Sequence, residues 1–164
     1  MKIYFSMYSG LTKVLLLLFS CIVMVSCSNT NSGIDIGKLS HFLDNKIGNN
    51  NLVALIIPET GCSGCMSKAE DFIRNIDEAK REKIFVVYTR ISDRKLTKNR
   101  IYSMTDGNFD NIHFDTTNDL YDTGYKAIYP LIIYLNKKHI ERFEYFSVEQ
   151  PQSLSNLEDV IDEM

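Results

Sequence analysis

The chain is organised around one junction, where an apolar run ends and two cysteines open an amphipathic one. Leu52-Val53-Ala54-Leu55-Ile56-Ile57 contains no polar side chain and is preceded by the turn residues Gly48-Asn49-Asn50-Asn51. An unbroken apolar run of this length reads as a strand buried on both faces, the habit of a central strand. Pro58-Glu59-Thr60-Gly61 breaks it, and Cys62-Ser63-Gly64-Cys65 follows. From Met66 to Ala79 the residues Met66, Ala69, Phe72, Ile73 and Ile76 recur at helical spacing, leaving Lys68, Glu70, Asp71, Arg74, Asp77 and Glu78 for a solvated face. The cysteines therefore sit where a strand hands over to a helix. A helix start offers unpaired N–H groups and the positive end of the macrodipole. A thiol placed there is pushed toward its reactive thiolate. The second cysteine, one turn on, is close enough to close a disulfide with the first. Cys62 and Cys65 are the candidate catalytic pair of a dithiol redox centre, with Cys62 as nucleophile and Cys65 as the resolving thiol.

The other two of the four cysteines, Cys21 and Cys27, lie in or beside a leading apolar segment. Lys2 and Lys13 supply positive charge ahead of Val14–Val25, which is short of the roughly 20 residues that a spanning helix needs. The pattern is that of a secretory signal. Met24-Val25-Ser26-Cys27 resembles the end of a bacterial lipoprotein signal, which implies lipidation of Cys27. Leu18-Phe19-Ser20-Cys21 is a competing match, but Cys27 is followed by the polar tether Ser28-Asn29-Thr30-Asn31-Ser32-Gly33. A plain cleaved signal and an uncleaved anchor are the alternatives. The expected organisation is a lipoprotein signal peptide over 1–26, a flexible tether over 27–33 and a folded domain over 34–164. The expected location is extracytoplasmic, anchored to the membrane and facing the periplasm, where disulfide chemistry is possible.

Within the domain, Ile36, Leu39, Leu43 and Ile47 predict a helix over about 34–47, with Gly48 just past its end and His41 on its surface. Ile84–Tyr88 reads as a second central strand. Ser92 or Asp93 can cap a helix that turns Leu96, Ile101 and Tyr102 inward. Its basic residues, with Arg90, Arg94, Lys95, Lys98 and Arg100 in the region, read as solvated charge. Thr105-Asp106-Gly107-Asn108 is a turn. Ile112-His113-Phe114 is a short strand, and Asp115 to Tyr121 is a capped helix ending at Gly124. Pro130 leads into the strand Leu131–Leu135, and Asn136-Lys137-Lys138-His139 turns the chain into a returning strand. Strict alternation there places Ile140, Arg142, Glu144 and Phe146 on one side, and Glu141, Phe143 and Tyr145 on the other. Ser153 caps a last helix carrying Leu154, Leu157, Val160 and Ile161.

Two motifs now carry a resemblance. One is Cys62-Ser63-Gly64-Cys65 after a buried strand. The other runs from Asp115 to Phe143, through Leu120-Tyr121, Gly124-Tyr125 and Ile128-Tyr129-Pro130-Leu131-Ile132-Ile133-Tyr134-Leu135. The chain resembles the thioredoxin superfamily from about Asn49 to Met164, and most of all its membrane-tethered TlpA-like thiol–disulfide oxidoreductases. The resemblance implies an α/β, thioredoxin-like fold: a central mixed β-sheet flanked by helices, with C-x-x-C at the start of the first core helix. It implies a cis peptide bond before Pro130, which would lie against the disulfide, and a Tyr129 backbone that pairs with an extended substrate segment. Ser63 and Gly64 join Tyr129 and Pro130 as candidate substrate-binding residues, and are expected to tune Cys62 through contacts to its sulfur. The implied activity is reduction of protein disulfides, with electrons arriving from a donor in the membrane and no cofactor or metal. The chain departs from the family at Gly61, where Trp is usual, and at Ile56, where many thioredoxins bury an acid. Its nearest upstream acid is Glu59, in the loop, and its hairpin turn lacks glycine.

Other classes weigh less. A net charge of −3 argues against nucleic acid as a partner. C-x-x-C is half of a zinc site, which His113 and His139 would have to complete, since no second C-x-x-C exists. A peroxidase on this fold needs Thr three residues before its cysteine, whereas Thr60 stands two before Cys62. A non-catalytic binding lipoprotein and a dithiol oxidase or isomerase remain the alternative readings.

Overall fold

The computed structural model of the chain describes residues 33–105, 110–125 and 128–163. The leading segment, with Cys21 and Cys27, lies outside the described residues, as does most of the expected turn at 105–108. The described elements are α1 (Ile36–Asp44), β1 (Val53–Pro58), α2 (Ser63–Asn75), a short α3 (Glu78–Arg81), β2 (Ile84–Thr89), α4 (Arg94–Met104), β3 (Ile112–Phe114), a 3-10 helix (Asp119–Thr123), β4 (Leu131–Asn136), β5 (His139–Tyr145) and α5 (Ser153–Glu163).

The strands form one five-stranded sheet in the order β3-β2-β1-β4-β5. β1 runs parallel to β2, and β2 to β3, while β4 is antiparallel to β1 and β5 to β4. The unbroken apolar run thus becomes the central strand, and all six of its residues are buried. Its side chains alternate between two cores. On one face Val53, Leu55 and Ile57 join Val86 and Tyr88 under Ala69 and Ile73 of α2, Ile101 of α4, and Leu157 and Ile161 of α5. On the other, Ala54 and Ile56 join Val87 and Ile133 under Leu39, Phe42 and Leu43 of α1. Each such aliphatic side chain contributes about 1.5–3 kcal/mol by leaving water. The sheet with helices on both faces and the two-cysteine motif opening α2 is the thioredoxin-like fold.

Local details depart from the expected ones for identifiable reasons. Asp35 caps α1 by accepting the Lys38 N–H at 3.1 Å, and the buried stripe begins only at Leu39, so Ile36 remains 43% exposed. Gly48 belongs to the following turn, where its N–H donates to Asn51 Oδ1 at 2.8 Å. In α4, Asp93 is the N-cap, accepting the N–H groups of Lys95 and Leu96. Thr97, not Leu96, faces inward: its hydroxyl donates to Glu59 Oε1 and to the Asp93 carbonyl. That fixes the rotation of the helix, and Leu96, about 100° away, is left 66% exposed.

Asp115 opens no α-helix. It is buried, and its carboxylate accepts the Thr89 hydroxyl and the N–H groups of Asp119 and Leu120 at the start of the 3-10 helix. The β4–β5 turn uses Lys137 and Lys138, both with positive φ (49° and 73°). Two such residues are what a tight hairpin turn requires, with or without glycine. A register shift pairs Tyr134 with Arg142 but Leu135 with Ile140, leaving Glu141 unpaired. This bulge reverses the alternation, so Ile140 packs with Phe143 and Tyr145 rather than on the side of Phe146.

Candidate redox site

Cys62 is the N-cap of α2, with extended backbone (φ −69°, ψ 96°). Its Sγ accepts the Cys65 N–H at 3.3 Å, and its carbonyl accepts the Met66 N–H at 3.0 Å. A cap side chain reaches the N–H two or three residues on, so Cys65 supplies the contact to the sulfur. Ser63 and Gly64, expected to do so, make no hydrogen bond to it among the described residues. Both are exposed. A β-carbon at Gly64 would meet nothing within 4 Å, so packing does not require glycine there.

Cys62 and Cys65 are joined in a disulfide, with Cα atoms 5.3 Å apart. Their environments differ. Cys62 is partly exposed, whereas Cys65 is 1% exposed in the core with Ile57 and Ala69. One cysteine is partly open to solvent and the other is not, the asymmetry that two-step thiol exchange needs.

The segment before β4 is docked onto the motif. The Cys62 N–H donates to the Ile128 carbonyl at 2.9 Å. A β-carbon at Gly61 would lie 2.2 Å from that oxygen. This close approach accounts for glycine at a position where thioredoxins usually carry Trp. The expected cis bond before Pro130 is not present: the Tyr129–Pro130 bond is trans. The trans form is the more stable for an X–Pro bond by about 0.5–1 kcal/mol, and here it is Ile128, two residues earlier, that touches the cysteine motif. Pro130 is buried, and its carbonyl accepts the Phe146 N–H at 2.9 Å. The Tyr129 carbonyl accepts the Tyr125 hydroxyl at 2.7 Å, so it is already engaged within the chain.

No acid lies beneath the motif in β1, because Ile56 is fully buried on the α1 face. Glu59 is held rather than free: its Oε2 accepts the Ser92 N–H at 2.8 Å, and its Oε1 the Thr97 hydroxyl. Below α2, Tyr88 is fully buried and its hydroxyl has no partner among the described residues. Burial raises its pKa far above the ordinary phenol value, so it stays neutral. Beside it, Glu70 and Arg100 form a close ion pair between α2 and α4. Burial opposes the Arg100 charge, but the Glu70 hydrogen bond and charge outweigh that and raise its pKa. Glu70 therefore does not belong to the solvated face. The pairing spans 30 residues and has no local signal.

The two histidines cannot complete a metal site with the cysteines. His113 lies in β3 and His139 in β5, on opposite edges of the sheet. His113 packs between the rings of Phe42 and Phe85 at 5.9 and 6.4 Å. Burial, with the Lys46 charge nearby, lowers its pKa.

No protein-family model and no curated protein matches the chain. Solved structures similar to it include two. One is a proposed thioredoxin from Neisseria meningitidis, determined in solution, at 18% identity and TM-score 0.48, covering 70% of this chain and 77% of that one. The other is the crystal structure of StoA from Bacillus subtilis, at 16% identity and TM-score 0.42, covering 65% of this chain and 84% of that one.

Proposed function

We propose that the chain is a thiol–disulfide oxidoreductase that reduces protein disulfides outside the cytoplasm. One observation carries this reading. A partly exposed cysteine caps the start of α2, and a buried cysteine one turn on is disulfide-bonded to it. In the reduced protein the Cys62 thiolate attacks one sulfur of a substrate disulfide. The substrate S–S bond breaks, a Cys62–substrate disulfide forms, and the departing substrate thiolate takes up a proton. Cys65 then loses its proton and attacks Cys62 Sγ. The second substrate thiol leaves, and the Cys62–Cys65 disulfide is restored. Two electrons have passed to the substrate, and a dithiol donor returns the protein to its reduced form. In this reading the substrate segment rests against exposed Ser63 and Gly64 and partly exposed Tyr129, while buried Pro130 supports Tyr129 from beneath.

The reducing direction is supported by the resemblance to membrane-tethered family members, and the donor is then a membrane thiol carrier. The direction is read from the equilibrium of the Cys62–Cys65 pair with a glutathione or thioredoxin couple. A reductase poises near the thioredoxin value of about −270 mV, an oxidase near about −120 mV. A potential at the oxidising end overturns the reductase assignment and leaves an oxidase.

The periplasmic location and the lipid at Cys27 rest on the pattern of residues 1–27. Wild-type protein is expected in the membrane fraction, with a mass that includes lipid on Cys27. Cys27→Ala is expected to be left unprocessed or released. Soluble wild-type protein cleaved at another position would rule out the anchor.

A further inference from the structure

A cleft of about 560 Å³ opens at the carboxyl ends of β1 and β2, beside the redox motif. Its walls include Thr60 from the β1 loop, Arg90 from the β2 loop, Thr117 and Asn118 from the β3 loop, and Asp122 and Tyr125. Crevices at the carboxyl ends of parallel strands are where open α/β sheets bind ligands. Two chain connections fix this one against the disulfide. Thr60 is two residues from Cys62, a span of at most about 7 Å. Tyr125 holds the Tyr129 carbonyl, and Ile128 beside it accepts the Cys62 N–H.

The backbone adds a second observation. Arg90 (φ 56°) and Asn118 (φ 59°) both adopt positive φ, and both line this cleft. Asparagine tolerates that conformation; arginine adopts it uncommonly, and Arg90 lies outside the hairpin turn that accounts for Lys137 and Lys138. Such strain collects at ligand clamps, where the side chain is needed despite the backbone. Arg90 is exposed and makes no ion pair or hydrogen bond among the described residues.

We propose that this cleft is a substrate subsite that selects disulfides in polypeptide segments carrying a carboxylate beside the attacked cysteine, with Arg90 as the counter-ion. The inference rests on the oxidoreductase reading and adds the substrate class. An extended segment advances about 3.3 Å per residue, so a side chain one or two residues from the attacked sulfur reaches the cleft. Thr60, Thr117 and Asn118 are placed to hydrogen-bond the segment's backbone. Asp122 carries the opposite charge on the same cleft. Its backbone is ordinary, whereas Arg90 is held at positive φ, which singles out Arg90 as the residue kept there for a ligand.

The test uses the reduced protein and two peptide disulfides that are identical except for Glu or Lys next to the cysteine. The wild type should reduce the Glu peptide with a kcat/KM roughly three- to fivefold higher, as an exposed ion pair allows, and the ratio should shrink with salt. Arg90→Glu should invert the ratio. Arg90→Gly should bring it near one while raising or preserving thermal stability, because glycine suits the positive φ. The ratio cancels any effect of Arg90 on the Cys62 thiol itself. Equal rates for both peptides in wild type and Arg90→Glu would overturn the subsite and leave the oxidoreductase reading standing. A preference for the Lys peptide would assign the cleft to Asp122 and likewise overturn the proposal. Absence of turnover with either peptide would overturn the oxidoreductase reading, and this one with it.

Discussion

Cys65→Ala protein is expected to emerge from cells covalently attached to its substrates. Thiol–disulfide exchange passes through a mixed disulfide by necessity. The partly exposed Cys62 forms it, and the buried Cys65 stands one turn away to break it. Without that second thiol the intermediate persists, visible as high-mass adducts that collapse on reduction. Cys62→Ala should show few adducts and turnover at the uncatalysed background, because the remaining thiol is buried among Ile57, Ala69 and Ile73. Both variants also lose the disulfide, so a stability change common to the two does not explain a difference in adducts. Matching adduct-free behaviour would mean that the pair is structural, and the binding-module reading would replace the enzyme. Adducts on Cys62→Ala instead would reverse the two roles. The trapped proteins also bear on the cleft: the residues flanking their attacked cysteines should be rich in Asp and Glu.

Gly61→Ala is expected to destabilise the fold by about 1–3 kcal/mol, the range for forcing atoms into a filled space. The added carbon would sit 2.2 Å from the Ile128 carbonyl oxygen and 2.8 Å from its carbon, both of them backbone atoms. Neither can rotate away, as a flexible side chain would. The segment must shift, and the Cys62 N–H to Ile128 hydrogen bond goes with it. A lower urea midpoint with an unchanged m-value would register the loss. Faster hydrogen exchange at the Cys62 amide would place it. Gly61→Trp, which places there the residue usual in thioredoxins, should be at least as damaging, since the obstruction begins at the β-carbon. A fully stable Gly61→Ala protein would show that the Ile128 segment does not press on the motif in solution.

The central strand, the helix that follows it and the placement of Cys62 and Cys65 at their junction were all legible in the sequence. Each depends on neighbours close along the chain. An unbroken apolar run marks burial on both faces, apolar residues at helical spacing mark a packed stripe, and a cap is settled within three residues.

Tertiary structure decided what depends on register and on helix rotation. The bulge at Glu141 reversed the side on which Ile140 packs, which no count of alternating residues contains. Thr97 displaced Leu96 from the core because Glu59, 38 residues earlier, holds its hydroxyl. Glu70 left the solvated face because Arg100 comes within reach only when α2 and α4 lie on the same side of the sheet. The resemblance pointed to a cis Pro130 against the disulfide. The folded chain instead brings the Ile128 carbonyl to Cys62, with Gly61 leaving room for it. The cleft at Arg90 gathers residues from three separate strand ends, so it exists only after the strands have paired. Short-range energies select the elements and place the reactive pair. The surroundings of that pair are set by contacts between residues far apart in sequence, whose proximity is created by folding itself.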